Sequence, residues 1–422
     1  MAKRPTQSTP DSRLFEQHER VTTRRIRRQR ALFIPKFVRE VADRQDLAGE
    51  AQDRAHKLLC HWADLESKGR LSTERETSID TQFLDQVFGE ALGYAVKTRS
   101  PGDWQLEHKI TVAGVGIADG ALGEFPASKS PTVIIELKGA RTDLDRDRSN
   151  GRTAVQQCWD YLNALPDCPW GIVSNFSTIR LYHRSRGTLN YEEFSLQELR
   201  DRDEFNKFYA IFERGGLLTS TLGQPPRALA LLERTKKRQK EVGDDLYQKY
   251  QWQRLELIDH LVREENKNLD EAIRIAQKIL DRIVFIAFCE DRGLLPENSL
   301  AHTKTDVRRY SRARNPAWES FLDLFTAVDR GAKGKKEITA FNGGLFADDP
   351  AINGLDLEEE KWTDGFAGFG EFDFSEEVNV DVLGHLFERS ITELEKLRVG
   401  GLFALKANIA GVNGSNGAHA KK

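Results

Sequence analysis

Between residues 101 and 185 the chain changes texture, and this change limits its fold more than any other feature. WQLEHKITVAG, GIADGALG, PTVIIELKG, WGIVSNF and TIRLYHR are short, β-branched or aromatic segments separated by Gly, Pro or Asn punctuation. Between the third and fourth lies TAVQQCWDYLNAL, where Val155, Cys158, Trp159 and Leu162 recur at helical spacing. The pattern predicts a sheet with at least one helical crossover over about residues 100–185. The flanks read as helix. Residues 13–66 carry Leu14, Val21, Leu32, Phe33 and Phe37 among charges, with a break expected at Pro35. In TERETSIDTQFLDQVFGEALGY, Ile79, Phe83, Val87 and Ala91 repeat every fourth residue up to a stop at Gly93. From about 204 the helical period returns. DEAIRIAQKILDRIVFIAFCEDRG is expected to start with Asp270 as its N-cap and to stop at Gly293. NIAGVNGSNGAHAKK reads as a flexible tail or linker.

Composition closes off several classes. With 422 residues, 39% hydrophobic, and 23 Phe and 7 Trp, the chain can build real cores. No run approaches a membrane span, and the N-terminus has no apolar signal core, so a cytoplasmic protein is expected. Cys60, Cys158, Cys168 and Cys289 form no CxxC pair, against a disulfide framework or zinc knuckle. His56, Cys60 and His61 share a helical stretch but have no fourth partner, and a structural role is expected. There is no GxxxxGK(S/T) loop and no GxSxG elbow. The net charge of −3 hides an asymmetry. Residues 1–44 hold twelve Lys/Arg against five Asp/Glu, so +7, leaving −10 for the remainder. The dense part is Arg24, Arg25, Arg27, Arg28 and Arg30, which reads either as a solvated helix face or as a DNA phosphate contact surface.

The segment ADGALG…PTVIIELKGA carries the chemistry. On a strand Glu136 and Lys138 project together, while Ile135 and Leu137 turn the other way into the core. Asp119 ends another β-like segment, and an antiparallel pairing would bring its carboxylate beside that of Glu136. Two such carboxylates repel unless they share a cation, and Mg²⁺ suits the pair: a hard ion held by one or two carboxylates, keeping its waters for a phosphate substrate. Lys138 would orient the water and steady the charge on phosphorus. The plain alternative is a surface ion pair beside an ordinary Asp-Gly turn. Gln157 and Tyr161, four apart, form a ridge opposite the apolar stripe, facing outward toward phosphate or base, or else one exposed aromatic on an ordinary amphipathic helix.

Asp119, Glu136-x-Lys138 and Gln157-xxx-Tyr161 together resemble the PD-(D/E)XK nuclease core. More closely, the chain resembles the N-terminal part of type IIG restriction–modification enzymes, which join a nuclease, a helical connector and an adenine-specific DNA methyltransferase. The matching stretches are RETSIDTQFLDQVFGEALGY, GIADGALG, VIIELKGA, QQCWDYLN, WGIVSNFSTIRLYH, FIAFCEDRGLLP, FNGGLF and VDVLGHLFERSITELE. The resemblance implies an α/β fold, with a mixed sheet flanked by helices and then a mostly α-helical domain. It implies a basic helical segment over 1–70, a nuclease domain over 71–200, a helical connector over 201–400 and a tail over 401–422. It also implies that Asp119, Glu136 and the carbonyl of Leu137 ligate Mg²⁺, that Lys138 is the catalytic lysine, and that Gln157 and Tyr161 lie along the DNA or the active-site edge. Glu76 would add an acid, or close a capping box with Thr73. Where the superfamily pattern often has Pro before the first Asp, this chain has Ala118.

The function expected is Mg²⁺-dependent hydrolysis of double-stranded DNA. The alternative is a DNA-binding or assembly subunit, or a truncated piece, that depends on a separate adenine-specific methyltransferase chain. Methylation by this chain is not expected. FAGFG at 366–370 resembles a cofactor motif, but neither flank has the strand or helix the motif needs, no (N/D)PPY follows, and the sequence ends about where a methyltransferase domain would begin.

Overall fold

The computed structural model describes residues 30–72, 76–219, 223–307, 310–333, 337–341, 343–378 and 380–419. Its packing divides the chain into two units, Met1–Lys236 and Lys237–Lys422. The expected boundaries at 70 and 200 both fall inside the first unit. The reason is a shared core: Leu32, Phe33, Trp62, Phe83 and Phe88 pack with Val133, Ile135 and Leu137 of the sheet and with Phe205, Phe208 and Leu231 beyond it.

The first unit is built on six strands: β1 (Trp104–Val112), β2 (Gly116–Phe125), β3 (Val133–Leu137), β4 (Trp170–Ser174), β5 (Thr178–His183) and β6 (Tyr191–Ser195). They lie side by side in sequence order. All neighbours are antiparallel except β3 and β4, which are parallel. A parallel pair needs a long connection, and here it contains the helix expected from TAVQQCWDYLNAL. Helices α1 (Pro35–Ala42), α2 (Glu50–Ser67) and α3 (Glu76–Phe83) precede the sheet, α4 (Ala154–Ala164) lies within the crossover, and a helix over Arg202–Phe212 follows β6. Every residue of β3 is buried. Val133, Ile135 and Leu137 face the large core, and Ile134 faces a second one with Cys158 and Leu162 of α4. Gly171 on β4 lets α4 sit this close, since a β-carbon there would meet Cys158 Sγ at 2.5 Å.

The break expected at Pro35 is present: after helical Arg30, residues 31–34 are non-helical, and Pro35 then starts α1 at the first-turn position where its missing N–H costs nothing. Two other local expectations change. A 3₁₀ turn and Gly49, at φ 145°, separate α1 from α2. Beyond α3 the helix widens over Leu84–Ala91, with Leu92 N–H reaching back five residues to the Val87 carbonyl, before Gly93 ends it at φ 81°.

The second unit is helical. Its main elements include α5 (Leu269–Asp291), α6 (Pro316–Arg330) and α7 (Val380–His419). The core of this unit joins Ile279, Ile283, Trp318, Phe321, Trp362 and Phe366. Asn268, not Asp270, caps α5, its side chain accepting from Glu271 N–H; Asp270 falls inside the first turn. FAGFG forms two short helical turns, with Phe366 and Phe369 fully buried. The stretch expected as a tail continues α7 as far as His419. Among the described residues no helix is long and apolar enough to cross a membrane.

Candidate active site

The ladder between β2 and β3 pairs Ala121 with Ile134 and Gly120 with Ile135. One step further along that register stand Asp119 and Glu136, side by side at the end of the two strands. There the ladder hands over to a side chain: Leu137 N–H donates to Asp119 Oδ2 at 2.7 Å. The other oxygen, Oδ1, accepts from Lys109 Nζ at 2.5 Å. Lys138, one residue past β3, is held by its backbone N–H on the Ser174 carbonyl. Its ammonium donates to Glu136 Oε1 at 2.5 Å. The three side chains singled out in the sequence are therefore brought together. The Asp-Gly pair is not a turn but lies within β2. Gly120 is wanted there because a β-carbon would meet Leu84 Cδ1 of the widened helix at 3.2 Å.

Glu136 is the unusual member. It is 3% exposed, and its Oε2 is buried with no hydrogen-bond partner. Burial, reinforced by the Asp119 charge and only partly opposed by Lys138, pushes its carboxyl up to about 7. Its Oε2 is an acceptor left unspent beside a second carboxylate. Among the described residues no three His, Cys, Asp or Glu side chains cluster as metal ligands. Two adjacent carboxylates, one with a bare oxygen and one whose outer oxygen is held by a displaceable ammonium, suit a magnesium-type ion that keeps waters and takes substrate oxygens, and do not suit a closed zinc site. The residues present fit Mg²⁺.

Gln157 and Tyr161 lie beside this centre but do not face outward. Both are buried. Gln157 Nε2 donates to the carbonyls of Ser149 and Arg152, and Tyr161 Oη donates to the Ile117 carbonyl at 3.0 Å. The helical wheel assigned them to the free side. In fact α4 is covered there too, by the loop before it and by the start of β2. Burial, with the charges of Glu136 and Asp119 adding, pushes the Tyr161 hydroxyl up to about 12. Trp159, expected on the buried stripe, is only partly buried. Arg24, Arg25, Arg27 and Arg28 lie outside the described residues, as do Thr73 and the side chain of Glu76. Of that arginine cluster Arg30 is described, and its guanidinium donates to Tyr191 Oη.

Sequence reasoning missed two members of the cluster. Lys109 stands across from Asp119, between the pairs His108–Gly120 and Ile110–Ala118. Its Nζ also lies 3.6 Å from Oδ2 of Asp80 on α3. Pairing EHKI (107–110) antiparallel against ADGA (118–121) would have found the lysine. Asp80 follows Glu76 by one helical repeat, which was the available signal for it.

No curated protein and no solved structure matches this chain. Residues 13–214, which take in α1–α4 and all six strands, match the family model described as MmeI, N-terminal domain. The matched span, just under half of the chain, coincides with the sheet-and-helix architecture described above. By that match the chain is consistent with the N-terminal portion of MmeI-like type IIG enzymes.

Proposed function

We propose that the first unit is a Mg²⁺-dependent nuclease that hydrolyses phosphodiester bonds of double-stranded DNA. The observation that carries this reading is the buried, unpartnered Oε2 of Glu136, aligned with Asp119 and flanked by Lys138. Asp119 and Glu136 would hold the ion, with the Leu137 carbonyl as a further donor. When bound, Mg²⁺ makes a coordinated water more acidic and offsets charge on the phosphate. The remaining work belongs to the chain. Leu137 N–H fixes the Asp119 carboxylate in one orientation. The Lys138 ammonium, only 18% exposed, stays within reach of Glu136 and would orient the attacking water and balance the phosphorane charge. Tyr161 and Gln157 hold the Ile117 and Ser149–Arg152 backbone that frames the site, so they position it and do not grip DNA. The arginines at 24, 25, 27 and 28 would contact backbone phosphates, with affinity that falls as salt rises.

Supercoiled plasmid incubated with the full chain tests the reading. Nicking or linearisation in Mg²⁺ that stops in EDTA, in Glu136→Ala and in Lys138→Ala supports it. DNA binding without cutting in any divalent ion overturns it in favour of a binding subunit. Cutting gained on adding an adenine-specific methyltransferase would identify the partner that such a subunit needs.

A further inference from the structure

We propose that Lys109 is a resident cation of this centre: its ammonium occupies Asp119 when no divalent ion is present and withdraws toward Asp80 when one binds. The inference rests on the Mg²⁺ reading above and concerns how the empty site is kept ready.

Three observations carry it. First, Asp119 and Glu136 meet in register with Asp80 nearby, a run of acids that repel one another without a cation between them. Lys138 attends to Glu136, whereas on Asp119 Oδ1 the cation is Lys109. Second, an ion approaching Asp119 meets that ammonium directly. Oδ2 is engaged by Leu137 N–H, and two cations cannot share Oδ1 without strong repulsion. The Lys109 side chain is half exposed, so it can swing out at little desolvation cost, and Asp80 Oδ2 at 3.6 Å is a second perch. Third, Lys109 has φ 50° inside a strand, in the left-handed region that a residue with a β-carbon rarely enters. Regular pairs on both sides hold it there. Such strain persists where surrounding structure over-determines it, and here it coincides with the one lysine of β1 that reaches the acidic cluster.

The test reads ion binding and melting on the full chain, so it does not depend on cutting. Mg²⁺ and Mn²⁺ affinities are measured by calorimetry for the natural sequence, Lys109→Met, Lys109→Gln and, as a control that removes the same charge from an exposed turn, Lys129→Met. Both Lys109 variants are expected to bind either ion about fivefold to tenfold more tightly, and the control to stay within about twofold. Their melting midpoint is expected to fall in EDTA and return to that of the natural sequence in Mg²⁺. A lysine that merely braces the fold would lower the midpoint equally in both. Affinity unchanged or weakened, or equal melting losses with and without ion, overturns the proposal. Tighter binding by the variants in a chain that never cuts DNA would sink the nuclease reading and leave Lys109 standing. Flat affinities in a chain that does cut would do the reverse. Failure of the natural sequence to bind either ion overturns both.

Discussion

Glu136 in the first unit and Glu290 in the second are both buried carboxyls, and burial pushes each up to about 7. What holds them differs. Glu290 sits near the end of α5 and accepts Leu300 N–H at 3.0 Å, with the Ser299 backbone also lowering its cost. Next to it, Asp291 accepts Phe374 N–H at 2.8 Å. These acids tie backbone segments together. Glu136 binds no backbone: one oxygen takes the Lys138 ammonium and the other takes nothing. A perturbed carboxyl therefore does not mark a site by itself. The mark is acceptor capacity left unspent inside the protein, where leaving it unspent costs most.

The comparison breaks most visibly in the cutting rate. Glu136→Gln keeps the shape and removes the charge, and its nicking rate in Mg²⁺ is expected to fall on the order of 10³-fold. Glu290→Gln, with the same chemical change at the same burial, is expected to cut within about threefold of the natural sequence. Rates on supercoiled plasmid decide. Equal losses at both positions would mean that unspent capacity is no guide here.

Stability against pH sharpens the contrast. Each glutamate has a folded-state value raised from 4.5 to about 7, so its contribution to stability is full below pH 4.5 and is lost as pH rises through about 7. In EDTA at pH 8, replacing either by Gln is expected to stabilise the chain, by at most on the order of 3 kcal/mol. Mg²⁺ separates them. The ion should supply the charge that Glu136 lacks and flatten its part of the pH slope, while the part that Glu290→Gln removes stays the same with or without ion. Melting of the two variants from pH 5 to 8, in EDTA and in Mg²⁺, measures this. A slope at Glu290 that also disappears with Mg²⁺ would break the distinction.

The sheet and the Asp119–Glu136–Lys138 cluster were legible because both rest on period-two alternation. The five segments anticipated between 101 and 185 became β1–β5. YEEFS became β6 unannounced, since two adjacent glutamates blur its alternation. Glu136 and Lys138 share a face, and Asp119 could be paired with them by one antiparallel register. Periodicity fails where the backbone departs from a repeat. Lys109 reaches Asp119 from a positive φ, and Leu84 packs on Gly120 from a helix that has widened. Neither departure has a period to read. The error at Gln157 and Tyr161 has a different origin. A helical wheel finds one buried side, and α4 has two. Asn268 was passed over because the acid two residues later looked like the cap. Asp270 is instead one of two acids in the first turn, a position that the helix dipole favours.

The smallest expected effects come from a pair of tyrosines that repeats the comparison in miniature. Tyr161 Oη donates to the Ile117 carbonyl on β2, and Tyr250 Oη donates to Asp281 in the helical unit at 2.8 Å. Removing either hydroxyl leaves an acceptor with one donor fewer, for about 1 kcal/mol at the part-buried Ile117 bond and about 1–3 kcal/mol at the carboxylate. Asp281 keeps the Gln277 amide, which donates to both of its oxygens, so the loss there is cushioned. The stability costs are therefore of similar size, and only the functional consequences part. Tyr161→Phe frees the Ile117 backbone two residues from Asp119 and is expected to slow cutting about threefold to fivefold while leaving DNA affinity within about twofold, because the hydroxyl is spent on backbone and not on nucleic acid. Tyr250→Phe is expected to leave both unchanged. Nicking rates alongside DNA binding by fluorescence anisotropy separate the two. A Tyr161→Phe variant that loses affinity as much as rate would return this tyrosine to the DNA-facing role that its spacing in the sequence first suggested.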